Sequence, residues 1–194
     1  AKRLADSKGV NHFSTGDMLR TAMKAQTPVG LKAKSFVDKG ELVPDDVMIA
    51  MIKEALAGVK PSPTVILDGF PRTVAQAEAL DGDATTQVSR AVFFDIERSV
   101  LIERLTGRRM CSKCGESFHT VFMPSKQEGI CDKCQGELIQ RKDDSKDVVV
   151  RRLEVFEGLN TGLLNYYTTH KKLKTIDADR QVDEVQADLA KLLS

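Results

Sequence analysis

The sequence lacks a surplus of either charge, a membrane-length apolar run and any internal repeat. With 29 basic and 28 acidic side chains the net charge is +1, which leaves no general field to draw nucleic acid or an anionic membrane to the surface. Any phosphate binding must come from individually placed basic residues. No apolar stretch approaches the roughly 18 residues that a membrane-spanning helix needs, so no transmembrane helix is expected. Low-complexity tracts are missing too. What is present is 194 residues, 41% of them hydrophobic, enough for one domain with a substantial core or one core carrying small inserts.

Hydrophobic periodicity predicts an alternation of helices and short strands. Residues 1–9 read as the remainder of a helix closed by Gly9, and residues 17–25, 29–38 and 46–57 as three further helices. The second of these stops at Gly40, and Pro44-Asp45 precedes the third. Residues 65–67, 91–95 and 174–176 read as strands, with 10–13 a possible fourth. A long helix is expected over 148–167 through Leu153, Phe156, Leu159, Leu163 and Tyr167, and a last one over 182–193. Helices between strands imply parallel pairing through crossovers, the α/β class. The rhythm breaks once, between about residues 107 and 144.

Two features stand out chemically. The run Thr64-Val65-Ile66-Leu67 stops at Asp68 and turns through Gly69-Phe70-Pro71 to Arg72, a buried strand delivering a carboxylate and a guanidinium to one sheet edge. In an open α/β sheet that edge binds ligands. The second feature is the break at 107–144, which holds all four cysteines as Cys111-x2-Cys114 and Cys131-x2-Cys134. The spacing matches a four-thiolate zinc site with no open position for water, the alternatives being two disulfides or unrelated core thiols. A zinc ribbon that binds nucleic acid is the rival reading. It would need a basic face, yet Lys113, Lys126 and Lys133 are balanced by Glu116, Glu128 and Asp132.

The hexapeptide Leu67-Asp68-Gly69-Phe70-Pro71-Arg72 closely resembles the signature of the adenylate kinases. Ser14-Thr15-Gly16-Asp17-Met18-Leu19-Arg20, Gly40-Glu41-Leu42-Val43-Pro44-Asp45, Gly107-Arg108-Arg109 and Arg141-Lys142-Asp143-Asp144 with Arg152 resemble further family segments in the same order. The likeness covers nearly the whole chain. It implies the parallel-sheet core of a P-loop nucleoside monophosphate kinase, here residues 1–13, 44–106 and 145–194, with an AMP-binding insert at 14–43 and a zinc lid at 107–144. It also implies reversible transfer of a phosphoryl group from ATP to AMP, Mg²⁺ with the ATP, structural zinc, and a cytoplasmic monomer with no nucleic-acid or membrane partner. The alternative is a kinase of another nucleoside monophosphate. Disulfides do not suit such a cytosolic chain.

By the same resemblance Arg20 and Arg72 would bind the AMP phosphate, Arg141 and Arg152 would span the path of the transferred group, and Arg108 would come down with the lid. Guanidinium suits the task because it is planar, bidentate and permanently charged. Asp68 would help hold Mg²⁺ through water, while Asp143 and Asp144 would pair with lid arginines or approach the metal. Thr15, Gly16, Gly69, Phe70 and Gln76 would lie on the AMP side, with the main chain of Glu41, Leu42 and Val43 near base and ribose. Arg104, one helical turn before Arg108, would face the donor nucleotide with Ser117, Phe118, His119 and Arg180. His12 and His170 carry no catalytic expectation. Asp144 or Ser145 could also cap the long helix.

The sequence departs from the family pattern at one place. The glycine-rich Walker A loop G-x-x-x-x-G-K-[ST] that holds donor phosphates matches no segment here. Roughly fifteen residues of strand and loop are expected to be missing ahead of Ala1, as the motif's length requires, together with any targeting peptide. The chain as it stands is therefore expected to be poorly stable and nearly inactive.

Overall fold

The computed structural model describes residues 1–58 and 64–192. Helix α1 spans Lys2–Lys8 and closes at Gly9, whose φ of 64° lets its N–H reach the Ala5 carbonyl. Strand β1, Asn11–Ser14, runs directly into α2, Thr15–Lys24. Helix α3, Pro28–Lys39, starts with Thr27 accepting the Gly30 N–H and Pro28 at the first turn, an unstrained place for a residue without an N–H. Helix α4 covers Asp45–Ala57, β2 Val65–Asp68 and α5 Val74–Asp81. Strand β3, Ala91–Asp95, precedes α6, Arg98–Thr106. The segment that broke the rhythm contains β4, Arg108–Cys111, β5, Ser117–His119, and β6, Leu138–Ile139. Helix α7, Lys146–Thr169, β7, Leu173–Asp177, and α8, Val182–Leu192, complete the order. The expected end of the last helix at Leu193 lies outside the described residues.

Most expected elements form within a residue or two of their anticipated ends, because each long apolar stripe finds a face to bury. Two details differ. Helix α6 stops at Thr106 with Gly107 as its C-cap, so Arg108 opens β4 and does not continue the helical face of Arg104. Ser145 is the N-cap residue of α7, but its side chain makes no capping bond, and Asp144 is taken up by Arg108.

The parallel strands form two pairs, β1 with β2 and β3 with β7. Among the described residues no strand joins them into one sheet. Both nevertheless contribute to the same apolar cluster: Ile66 of β2 and Val92 of β3 pack about Leu4, Ile176 and Leu189. Leu19, Ala33, Val43, Met48, Ile52, Phe70 and Leu80 form a second core joining α2 to α5. The antiparallel strands β5-β4-β6 make a separate small sheet over Cys111, Phe118 and Cys131.

Asp81 binds the end of α5 to the α7–β7 junction. It accepts from Lys172 Nζ at 2.8 Å, Tyr166 Oη at 3.2 Å and the Val88 N–H at 2.9 Å. Burial would raise its pKa, but the Lys172 and Val88 bonds win and hold the carboxyl below its ordinary value. A carboxyl depressed in the folded state stabilises above its unfolded pKa, and that stabilisation disappears as pH falls through the folded value. Asp81→Asn should therefore cost roughly 1–3 kcal/mol near pH 7. In urea titrations the gap to the parent should narrow as pH falls below the unfolded carboxylate range of about 4.

Candidate functional site

The register of β1 on β2 sets Ser14 opposite Asp68, so the first turn of α2 meets the turn after β2. Thr15, 1% exposed, points its hydroxyl at the Asp68 and Gly69 carbonyls, 3.2 and 3.1 Å away. Gly69 has φ 75°, and a Cβ there would stand 3.0 Å from an Arg72 guanidinium nitrogen and 3.1 Å from the Thr15 hydroxyl. Only glycine keeps that turn and leaves the arginine its place. Arg72 Nε donates back to the Gly69 carbonyl at 2.8 Å. Asp68, half exposed at the strand end, faces His12 Nε2 at 3.3 Å, a partner that the sequence did not suggest.

Arg72 feels the charges of Arg152, Arg20 and Asp68. Arg20 bonds Asp17 at 2.6 Å and lies 3.8 Å from Asp143, while Arg141 stands 3.6 Å from Asp17. Arg152 reaches Asp143 at 3.3 Å and Asp144 at 3.8 Å. Arg108 holds Asp144 with two bonds, Nε to Oδ2 at 2.9 Å and a guanidinium nitrogen to Oδ1. Five arginines from α2, the β2–α5 turn, β4, the segment after β6 and α7 thus surround three aspartates. Burial, then the nearby Arg20 and Arg108 charges, press the Arg141 pKa downward. The cleft is poised for an anion.

Beside this cluster lies a pocket lined by Thr15, Gly16, Glu41, Leu42, Val43 and Gln76, with Arg20, Gly69, Arg72, Asp143 and Arg152 on its polar side. Its apolar wall includes Leu19, Met48, Val155, Phe156 and Leu159. Phe156 and Leu159, two of the apolar positions that mark α7 in the sequence, are exposed where they line this pocket. Phe70 does not line the pocket; its side chain turns into the core, 6% exposed. Gly40, with φ 73°, admits α7 closely: a Cβ there would lie 2.9 Å from Arg152 Cγ. Gln76 is 2% exposed, its side-chain amide accepting from the Arg72 N–H and donating one N–H to Asp45, both at 2.7 Å.

Around the β5-β4-β6 sheet, the Sγ atoms of Cys111, Cys114, Cys131 and Cys134 all lie within 4.8 Å of one another, with no disulfide among them. Sulfurs placed tetrahedrally at about 2.3 Å from one ion stand roughly 3.8 Å apart, and the closest pairs here are 3.4 and 3.6 Å. The arrangement could hold one metal ion. The N–H groups of Cys114 and Lys113 lower the Cys111 thiol to about 6, which favours the thiolate a metal requires. Phe118 packs beneath these sulfurs. His119 is nearly buried; its Nδ1 accepts the Val121 and Phe122 N–H groups at 3.0 Å, so Nε2 carries the proton and donates to the Glu103 carbonyl at 3.2 Å. Ser117 begins β5. Arg104 and Arg180 meet at the β7–α8 loop: Arg104 donates to the Ala178 carbonyl at 2.7 Å, and Arg180 to Asp188 at 2.7 Å. No helix among the described residues is long and apolar enough to cross a membrane.

Arginines gathered at the ends of parallel strands, beside a half-apolar pocket and under a cysteine-clustered flap, define a protein built to hold phosphorylated ligands. Comparison with known sequences makes the assignment specific. The family model described as "Adenylate kinase" matches residues 1–172. The chain is 46% identical over 196 residues to an adenylate kinase of Carboxydothermus hydrogenoformans, covering 100% of this chain and 92% of that protein. It is 47% identical over 196 residues to one from Bacillus pumilus, covering 100% and 90%. Against one from Bacillus subtilis it is 46% identical over 195 residues, covering 99% and 90%. The chain belongs to the adenylate kinase family.

Asp144 is fully buried and pairs with both Arg108 and Arg152. Removing it would leave Arg108 without its carboxylate partner and Arg152 with Asp143 alone. Because both arginines keep some solvent, Asp144→Ala is expected to cost about 2–4 kcal/mol rather than the upper range for a buried pair. Equilibrium unfolding in urea would measure it.

Proposed function

We propose that this nucleoside monophosphate kinase acts on AMP, transferring the terminal phosphoryl group of ATP in line to the AMP phosphate and giving two ADP without a phosphoenzyme. A phosphate oxygen of AMP attacks the γ-phosphorus as the bond to the β,γ-bridging oxygen breaks. The observation that carries the reading is the convergence of Arg20, Arg72, Arg108, Arg141 and Arg152 on one cleft from five separate segments. Phosphoryl transfer asks for positioning and charge stabilisation more than covalent help.

In this reading Arg20 and Arg72 bind the AMP phosphate, Arg141 and Arg152 follow the migrating group, and Arg108 approaches with the lid. Asp143 and Asp144 orient these arginines. Thr15 and Gln76 face the base, and the main chain of Glu41 to Val43 borders base and ribose. Arg104, Ser117, Phe118, His119 and Arg180 belong to the donor side, where His119 shapes the lid through its two bonded nitrogens. Asp68, with one partner and half its surface open, suits a water-mediated carboxylate for Mg²⁺, which supplies charge neutralisation on the donor phosphates. The four cysteines suit structural zinc. In the same reading residues 1–13, 44–106 and 145–194 are the core, 14–43 the AMP domain and 107–144 the lid. The protein is taken to work as a cytoplasmic monomer.

Two measurements test this. The 194 residues contain no Walker A sequence, so titration calorimetry should find AMP bound while coupled ADP formation stays far below that of a full-turnover family member. AMP binding no tighter than that of CMP or UMP would refute the acceptor assignment. Arg72→Lys should weaken AMP binding by about tenfold or more, because an ammonium cannot reproduce a bidentate fork. For the metal, elemental analysis should give one zinc per chain. Chelation should then speed amide exchange across residues 108–139 while leaving the helices α4 and α7 protected. Absence of stoichiometric metal at neutral pH would rule out the zinc assignment.

A further inference from the structure

Gln76 is one of the buried polar side chains of the pocket, and its orientation has a cause outside the pocket. Asp45, the first residue of α4, does not line the pocket. Its Oδ1 accepts from Gln76 Nε2 at 2.7 Å and its Oδ2 from the Thr73 hydroxyl at 2.9 Å. The same Thr73 hydroxyl accepts the Gln76 N–H at 3.2 Å, and the Arg72 N–H donates to Gln76 Oε1 at 2.7 Å. A carboxylate can only accept and a backbone N–H can only donate. The amide is therefore fixed in one sense, with nitrogen toward Asp45 and oxygen toward Arg72.

We propose that Asp45 is a positioning residue for base specificity, locking the Gln76 amide so that its remaining N–H and lone pair match a 6-amino purine and not a 6-oxo purine. The inference rests on the AMP reading above. The Watson–Crick edge of adenine offers an acceptor at N1 beside a donor at the 6-amino group; hypoxanthine and guanine offer the reverse order. A glutamine amide turns readily about its last torsion, and a free one could serve either edge by exchanging its oxygen and nitrogen. The locked amide meets the wrong purine with donor against donor and acceptor against acceptor, in a place 98% removed from solvent by the residue's 2% exposure. Unmatched polar groups in such a site are strongly disfavoured.

The test is calorimetric binding of AMP and IMP, which have the same size and a reversed edge, to the chain and to two variants. Binding needs no turnover, so the donor side does not enter. Asp45→Leu removes the acceptor, and the preference for AMP over IMP should shrink about tenfold. Asp45→Asn can still turn an oxygen to Gln76, and its preference should stay within about twofold of the parent. A purely structural role for Asp45 would weaken both nucleotides together. An unchanged ratio in Asp45→Leu, or an equal loss in Asp45→Asn, overturns the proposal while leaving the AMP reading intact. A parent chain with no preference for AMP over IMP overturns both. If Asp45→Leu does not fold, relaxation of the Gln76 side-chain NH₂ in the parent decides: an order parameter near 0.85 is expected, and one below about 0.6 overturns the lock.

Discussion

Everything in the cleft depends on keeping like charges together. Guanidinium groups only a few ångströms apart repel one another, and in a partly desolvated cleft the repulsion is several times what water would allow. Three aspartates make the cluster tolerable. Asp17 stands between Arg20 and Arg141, Asp143 between Arg20 and Arg152, and Asp144 between Arg108 and Arg152. Five arginines against four carboxylates, Asp68 near Arg72 included, leave an excess of positive charge. A phosphate is the complement that relieves it.

The same bridges are mechanical joints. Asp144 couples β4, the first strand of the lid, to the start of α7, and Gln140 adds bonds to the Thr106 and Asp144 carbonyls at 2.9 and 3.1 Å. The small β5-β4-β6 sheet is thus rooted where the arginines are. Gly40 lets α7 press against the loop of Glu41 to Val43, so that the arginine-bearing helix and that main chain share one wall of the pocket.

Much of this was legible in the chain. Residues 91–95 form a strand with the anticipated ends, since a short β-branched and aromatic run flanked by polar residues has few alternatives. The cysteine spacing anticipated a cluster because each C-x-x-C turn aims two sulfurs the same way. Other features were not legible. Arg108 lies on a strand because Gly107 ends α6, which helical counting from Arg104 does not reveal. His119 was expected to be a nucleotide contact or an exposed residue, yet its ring accepts two N–H groups of its own loop. The partnership of His12 with Asp68 arises only from the parallel register of β1 on β2.

Local chemistry, then, is what the amino-acid order determined unaided: where strands stop, which turns demand glycine, which side chains carry permanent charge and which thiols come in pairs. These properties depend on neighbours a few residues away. Which arginine faces which aspartate, that Gln76 lies between Asp45 and the Arg72 main chain, and that the parallel strands form two pairs were decided by the tertiary structure alone. Residues separated by tens of positions compete for the same partners, and charge and size cannot choose between them until packing has set the distances.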